Sequence, residues 1–260
     1  MKRQFTWFDR AIIAVTAFFF LAPLIAAGEY SARGYGNKGH TLSNYSWIVH
    51  EQGFWPALLT SMRISILTVV LVMVLMVPTV VYIQLGGRKY RRLVEILCLL
   101  PIVIPVVSLA IGAQVAMPKF MQSTSYELCC FYVVVAMPYV YRTLDIGLQS
   151  VALTTLVEAS QSLGASWTNT LTLVIIPAIR SSTMGALFIT FALSLGEYTL
   201  AILLHFHTFP TWATNVSQEN LYGSIAISVT TLGGAWILLI LIAFAPRLKA
   251  LFESKRERAI

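Results

Sequence analysis

TLVEASQSLGASWTNTLTLVIIPAIRSS, residues 155–182, is the longest polar interruption in the second half of an otherwise hydrophobic chain. Thr155 and Glu158 have the S/T-x-x-E spacing of a capping box, in which each side chain satisfies a backbone N–H that a helix start leaves open. The following residues favour helix. Gly164 then ends the turn, because glycine takes the left-handed conformation at low cost. Trp167 to Val174 is expected to form a second short helix, with Ser166 as its N-cap. Pro177 suits the first turn of the next helix, where its missing N–H costs nothing. The stretch therefore reads as helix, glycine break, helix, proline and then a long apolar run.

Outward from this segment the chain is almost entirely apolar. Of 260 residues, 57% are hydrophobic and 11% charged, about half the charged fraction of a soluble domain. Six runs approach the roughly 20 apolar residues needed to cross a bilayer: 11–27, 56–83, 94–117, 127–146, 182–206 and 223–245. The fold class expected is an all-α polytopic membrane protein with six transmembrane helices, one membrane domain over 1–260. The first run is expected to stay as a span, since it lacks a clean cleavage site before a soluble domain. A short interfacial helix is expected near Tyr45 to His50, and a polar connection from His207 to Tyr222. Pro78, Pro101, Pro105 and Pro138 fall inside spans and mark kinks or hinges.

The net charge of +7 is a topology signal rather than a nucleic-acid footprint. Thirteen Lys and Arg fall on the N-terminal side of the expected spans, three (Arg33, Lys38 and Lys119) lie opposite, and Arg63 and Arg142 are within spans. The excess of basic residues on the cytoplasmic side of membrane proteins then places both termini, the GGRKYRR turn at 86–92 and the segment at 147–182 in the cytoplasm. Cys98, Cys129 and Cys130 sit in apolar runs without metal-ligand spacing and read as small hydrophobes.

Glu158-Ala159-Ser160, then Gly164, then Val174-Ile175-Ile176-Pro177 resembles the EAA loop of binding-protein-dependent ABC importer permeases. That loop runs E-A-A, three residues, G, nine residues and I-x-L-P. Here Ser160 replaces the second Ala, Val174 the Ile and Ile176 the Leu. The resemblance implies a type I importer permease in which 147–182 is the coupling loop. Thr155, Glu158, Ala159, Ser160, Leu163, Gly164 and Pro177 would then engage a cytoplasmic ATPase. It further implies two ATPase subunits, a second permease subunit like or identical to this one, and an extracytoplasmic solute-binding protein. This chain has no G-x-x-x-x-G-K-[ST] phosphate loop, so it would hold no cofactor itself, with ATP and Mg on the partner subunits. Its expected location is a bacterial inner membrane.

Charged groups within spans are costly and tend to line pathways. Ser194, Glu197 and Tyr198, around Leu195-Gly196, resemble a patch in permeases for polyamines, phosphonates, ferric iron or thiamine. A polyamine-like cation attracted by Glu197 is the favoured substrate on that resemblance, the other three staying open. A structural hydrogen bond from Glu197 to a neighbouring helix is the competing reading. Arg63 is expected to reach the interface from span two, with a pathway role as the alternative. Arg142 and Asp145, at i and i+3, are expected to pair with each other. His205 and His207 at i, i+2 do not share a helix face, which argues against a metal site. The chain carries no H-E-x-x-H, no G-x-S-x-G and no paired carboxylates within a span, so it reads as a transport subunit and not an enzyme. An ATP-independent transporter or channel is the alternative class, and a lipid-modifying enzyme a more remote one.

Overall fold

A backbone removed from water must pair its own N–H and C=O groups, and helix is the single-segment solution. The computed structural model describes residues 7–34, 39–86, 88–237 and 240. Among them regular structure is helical, with one isolated antiparallel bridge between Arg33 and His40. Lys2, Arg3, Gly36, Lys38 and the basic tail from Arg247 lie outside the described residues.

The helices follow the expected order. They are α1 (Trp7–Ser31), α2 (Ser43–His50), α3 (Phe54–Leu85), α4 (Arg88–Val103), α5 (Val106–Ala116), α6 (Ser125–Gln149) and α7 (Leu153–Ser162). Then come α8 (Trp167–Ala178), α9 (Arg180–Gly196), α10 (Thr199–Leu203), α11 (Phe209–Glu219) and α12 (Leu221–Ile237). Among the described residues α1, α3 and α6 are each long and apolar enough to cross a membrane unbroken. The third expected span is the sharply bent pair α4–α5. The sixth begins as α12, and most of it from residue 238 onward lies outside the described residues. The helix expected near Tyr45 is α2.

Two compact units divide the chain, one made of residues up to Phe54 together with those from Ala213, the other of Trp55 to Trp212. In the first, the turn after α1 is closed by backbone bonds from Gly34 to Gly39 and from Thr41 to Ala32. Asn44 donates to the carbonyls of Ser31 and Arg33, and Tyr45 shares a 2.6 Å hydrogen bond with Ser31, so α2 is fastened to the end of α1.

The second unit is built on α6. Its inward stripe recurs every three or four residues, as expected for a helix face. Near its start Leu128 and Tyr132 meet Ile64 of α3 and Leu200 and Ala201 of α10 in one buried cluster. Near its end Val140, Leu144 and Leu148 join a second cluster, with Val72 and Val80 of α3, Cys98 of α4 and Ala186 of α9. Leu153 and Val157 of α7 and Ile175 of α8 are buried in that same second cluster. The polar segment is therefore seated on one end of the helix bundle. Closest approach comes at Gly147 of α6, where an added Cβ would run into the Cβ and Oγ of Ser182.

Three features depart from the expected layout. Of the four prolines, Pro78, Pro101 and Pro138 lie inside continuous helices, and only Pro105 stands at a break, between α4 and α5. The expected polar connection at 207–222 contains the helix α11. Its start is set by Thr208 and Thr211, the Thr208 N–H donating to Thr211 Oγ1 at 2.8 Å, while the Phe209 N–H donates to Ser61 Oγ at 2.7 Å. Finally, the fifth span is not one rod. It stops at Gly196, and after two non-helical residues the short α10 follows.

Candidate functional site

The polar segment folds as a helical hairpin, α7 then α8. Its first turn corrects the capping box. The helix begins at Leu153, two residues before Thr155, and the N-cap is Ala152, with no side-chain cap bond. Burial of Leu153 and Val157, four residues apart, draws the helix start back, and Thr155 becomes an exposed residue of the first turn. The end of α7 is as expected. Gly164 has φ +79°. Its N–H bonds the Gln161 carbonyl at 2.9 Å and the Ala165 N–H bonds the Ser160 carbonyl at 3.1 Å, the paired closure of a Schellman motif. Ser166 caps α8, accepting from the Asn169 N–H.

Within α8, residues Thr170–Ile175 widen to a π-helix and the Ile176 N–H reaches back to Leu171. Such single wide turns are frequent at functional sites. Pro177 follows immediately, and the wider turn relieves the clash of its ring with the carbonyl four residues before. Pro177 does not open the fifth span, as its position in the sequence suggests. It stands near the end of α8, and the chain turns by 86° before α9.

The faces of α7 are sorted. Leu153, Val157 and Ser160 point inward, whereas Thr155, Glu158, Ala159, Leu163 and Gly164 are exposed. Leu163, at the tip, is 88% exposed. Ser160 is the exception among the motif residues. Its hydroxyl is buried, bonds the Val157 carbonyl at 3.0 Å and shares a 2.8 Å hydrogen bond with the buried Thr170 hydroxyl. The departure from Ala in the motif thus adds a bond between the two arms of the hairpin. Ser160→Ala is expected to cost about 1 kcal/mol, since it strands the buried Thr170 hydroxyl, and Thr170→Val less, since the Ser160 hydroxyl keeps its bond to the Val157 carbonyl. The double change should cost clearly less than the sum in thermal unfolding of the purified assembly. Additive losses would show that the bond does not couple the arms.

Under this hairpin, the ends of α3, α4 and α6 are joined by charge. Arg142 and Asp145 do not pair with each other. Arg142 binds Glu95 at 2.9 Å, and Asp145 binds Arg91 at 3.3 Å. Asp145 is 4% exposed and also accepts from Gln84 Nε2 at 2.5 Å and Gln149 Nε2 at 2.7 Å. The i, i+3 spacing was misleading because Arg91 and Glu95 come from α4, at a sequence distance no local rule covers.

The in-span residues are placed as follows. Ser194 is buried and donates to the Thr190 and Phe191 carbonyls of its own helix. Glu197 sits at the break after α9, half-buried, not in mid-helix. Its carboxylate accepts from the N–H groups of Leu200 at 3.0 Å and Ala201 at 3.4 Å, satisfying the open first turn of α10. Tyr132 donates to the Glu197 carbonyl at 3.4 Å. Tyr198 and Arg63 are exposed, and among the described residues no hydrogen bond or ion pair joins Arg63 to Glu197. At the far end of α10 the Phe206 N–H bonds the Ala201 carbonyl and the His205 N–H bonds that of Ile202, so His205, φ +58°, occupies the left-handed position of a second Schellman closure. Among the described residues no group of three or more His, Cys, Asp or Glu is placed to hold a metal.

Residues 65–258 match the family described as "Binding-protein-dependent transport system inner membrane component". A relative from Salmonella typhimurium, strain LT2, with the provisional name 2-aminoethylphosphonate transport system permease protein PhnV, is 23% identical over 253 residues. That alignment covers 95% of this chain and 92% of the relative. Its counterpart from Salmonella choleraesuis, strain SC-B67, is 24% identical over 209 residues, covering 78% and 77%. Among solved structures, a bacterial ABC transporter involved in the import of the acidic polysaccharide alginate shares the fold. Its TM-score is 0.64 at 14% identity, over 94% of this chain and 95% of that one. With three quarters of its length inside the family match, this chain belongs to the inner-membrane components of binding-protein-dependent transport systems, as a multi-pass permease subunit of an ABC importer that works with an ATPase and a solute-binding protein.

Proposed function

We propose that the chain acts as one permease domain which, with a second permease subunit like or identical to itself, forms the pathway for a phosphonate-bearing solute such as 2-aminoethylphosphonate. The observation that carries this reading is the match to phosphonate-system permeases along 95% of the chain. The geometry at Glu197 moves the preference away from a polyamine. The Glu197 carboxylate accepts from amides in the first turn of α10, so a structural role as a helix cap accounts for an acid at this position without a cationic solute.

The hairpin α7–α8 is the proposed coupling element, facing the cytoplasm with both termini. Two ATPase subunits would bind ATP and Mg, close on each other and carry the exposed face of α7 with them. Because Leu153 and Val157 share one buried cluster with residues of α3, α6 and α8, displacement of α7 is passed to the helix bundle through that common core, and the pathway opens toward the binding protein.

The test is uptake into proteoliposomes that hold the full assembly, with ATP enclosed and the binding protein outside. Labelled 2-aminoethylphosphonate should accumulate with ATP and not without it, and excess unlabelled spermidine should leave the rate unchanged. Accumulation of spermidine in place of the phosphonate would restore the polyamine assignment and sink this one.

A further inference from the structure

Beside the start of α6 lies an open pocket of about 520 Å³ whose polar lining is Gln114, Ser123 and the exposed His205 and His207, flanked by Leu204 and Phe206. It stands at the opposite end of α6 from Asp145 and the coupling hairpin; 25 residues at about 1.5 Å each separate the ends by roughly 37 Å. Its size is that of a small-molecule site.

The backbone singles this cavity out. Among the described residues only two non-glycine positions have positive φ, Ser123 at +60° and His205 at +58°, and both line it. Each is a conformation glycine adopts at lower cost, and residues held this way cluster at ligand sites. His205 stands where a Schellman closure ordinarily has glycine. Ser123 is held from beneath, its N–H donating at 2.6 Å to Glu127 Oε2, a carboxylate with no exposure. The fold thus keeps a side chain at two positions where glycine would be less strained, and both residues line one space.

The lining also has a chemical bias. Two imidazoles, one carboxamide and one hydroxyl all supply hydrogen-bond donors, and among the described residues no carboxylate lines the space. We infer that this cavity is a reception site for the oxyanion end of the transported solute, with His205 and His207 as its principal donors. The class named, a phosphonate or phosphate oxyanion, rests on the donor set; its use in import rests on the function proposed above. The opposing possibility is a cation drawn to Glu127, whose Oε1 is buried without a partner.

Histidine modification by diethyl pyrocarbonate in the purified full assembly, read by mass spectrometry, tests the site directly. The chain has four histidines, and the exposed His40 and His50 serve as internal references. Both 2-aminoethylphosphonate and inorganic phosphate should slow modification of His205 and His207 several-fold while leaving His40 and His50 unchanged, and spermidine should not protect. His205→Gly should keep or raise the melting temperature, because glycine relaxes the left-handed turn, yet several-fold protection at His207 should be lost. Absence of oxyanion protection, protection by spermidine alone, or full protection of His207 in His205→Gly would each overturn the assignment. Protection without ATP-driven phosphonate uptake would leave the oxyanion site standing and remove the proposed substrate.

Discussion

Gly164→Asp is expected to stop ATP-driven uptake while leaving the chain folded and inserted. At φ +79° a residue with a Cβ is held in a left-handed conformation, at roughly 1–2 kcal/mol for most L-residues and somewhat less for Asp. Nothing lies within 4 Å of an added Cβ here, so the substitution creates no clash inside the bundle. Its effects fall on the shape of the α7 end and on the charge presented beside Leu163. Under the proposed docking role, a distortion of about 1–2 kcal/mol plus an acidic group at the contact weakens association by roughly ten-fold or more. Uptake and co-purification of the ATPase should fall together, while the level of the chain in the membrane should not. Gly164→Ala separates the two contributions, since it changes the backbone cost without adding charge, and should give a smaller loss. Normal co-purification of ATPase with the Asp variant would remove α7 from the coupling path.

What the sequence discloses here divides along physical lines. Spans show in composition because a hydrocarbon environment imposes both length and polarity, and α1, α3 and α6 extend their expected ranges by a few residues only. The turn at Gly164 and the cap at Ser166 were legible because both are settled within one turn of chain. The start of α7 was not: the capping-box spacing at Thr155 and Glu158 is real, but burying Leu153 and Val157 outweighs one side-chain cap. A similar limit explains Asp145, whose partners Gln84 and Arg91 are more than fifty residues away. The break at Glu197 had a local signal, an acid after a glycine and three residues before the N–H it caps, which continuous hydropathy concealed. His205 and His207, expected at the outer end of the fifth-span helix, lie beyond the end of α10, and there both line one pocket.

Asp145→Ala is expected to destabilise the bundle strongly. The carboxylate is 4% exposed and gathers donors from three helices: Gln84 of α3, Arg91 of α4 and Gln149 of its own α6. Alanine removes the acceptor and leaves those donors aimed at an apolar methyl. Removing one partner of a buried charge pair typically costs about 3–5 kcal/mol. Arg91 is 39% exposed, so water recovers part of its loss and the lower end of that range applies. The neighbouring pair Arg142–Glu95, at 53% and 32% exposure, should matter far less, about 0–1 kcal/mol. Asp145→Asn retains one oxygen acceptor and should fall between the two. Since α7 leans on the same end of the bundle through Leu153 and Val157, the alanine variant should also loosen the link between ATP hydrolysis and uptake, giving ATP turnover with less solute moved. Thermal unfolding of the purified assembly and the ratio of solute imported to ATP hydrolysed are the two measurements. A melting temperature equal to that of Arg142→Ala, together with an unchanged ratio, would show that the buried carboxylate carries neither load.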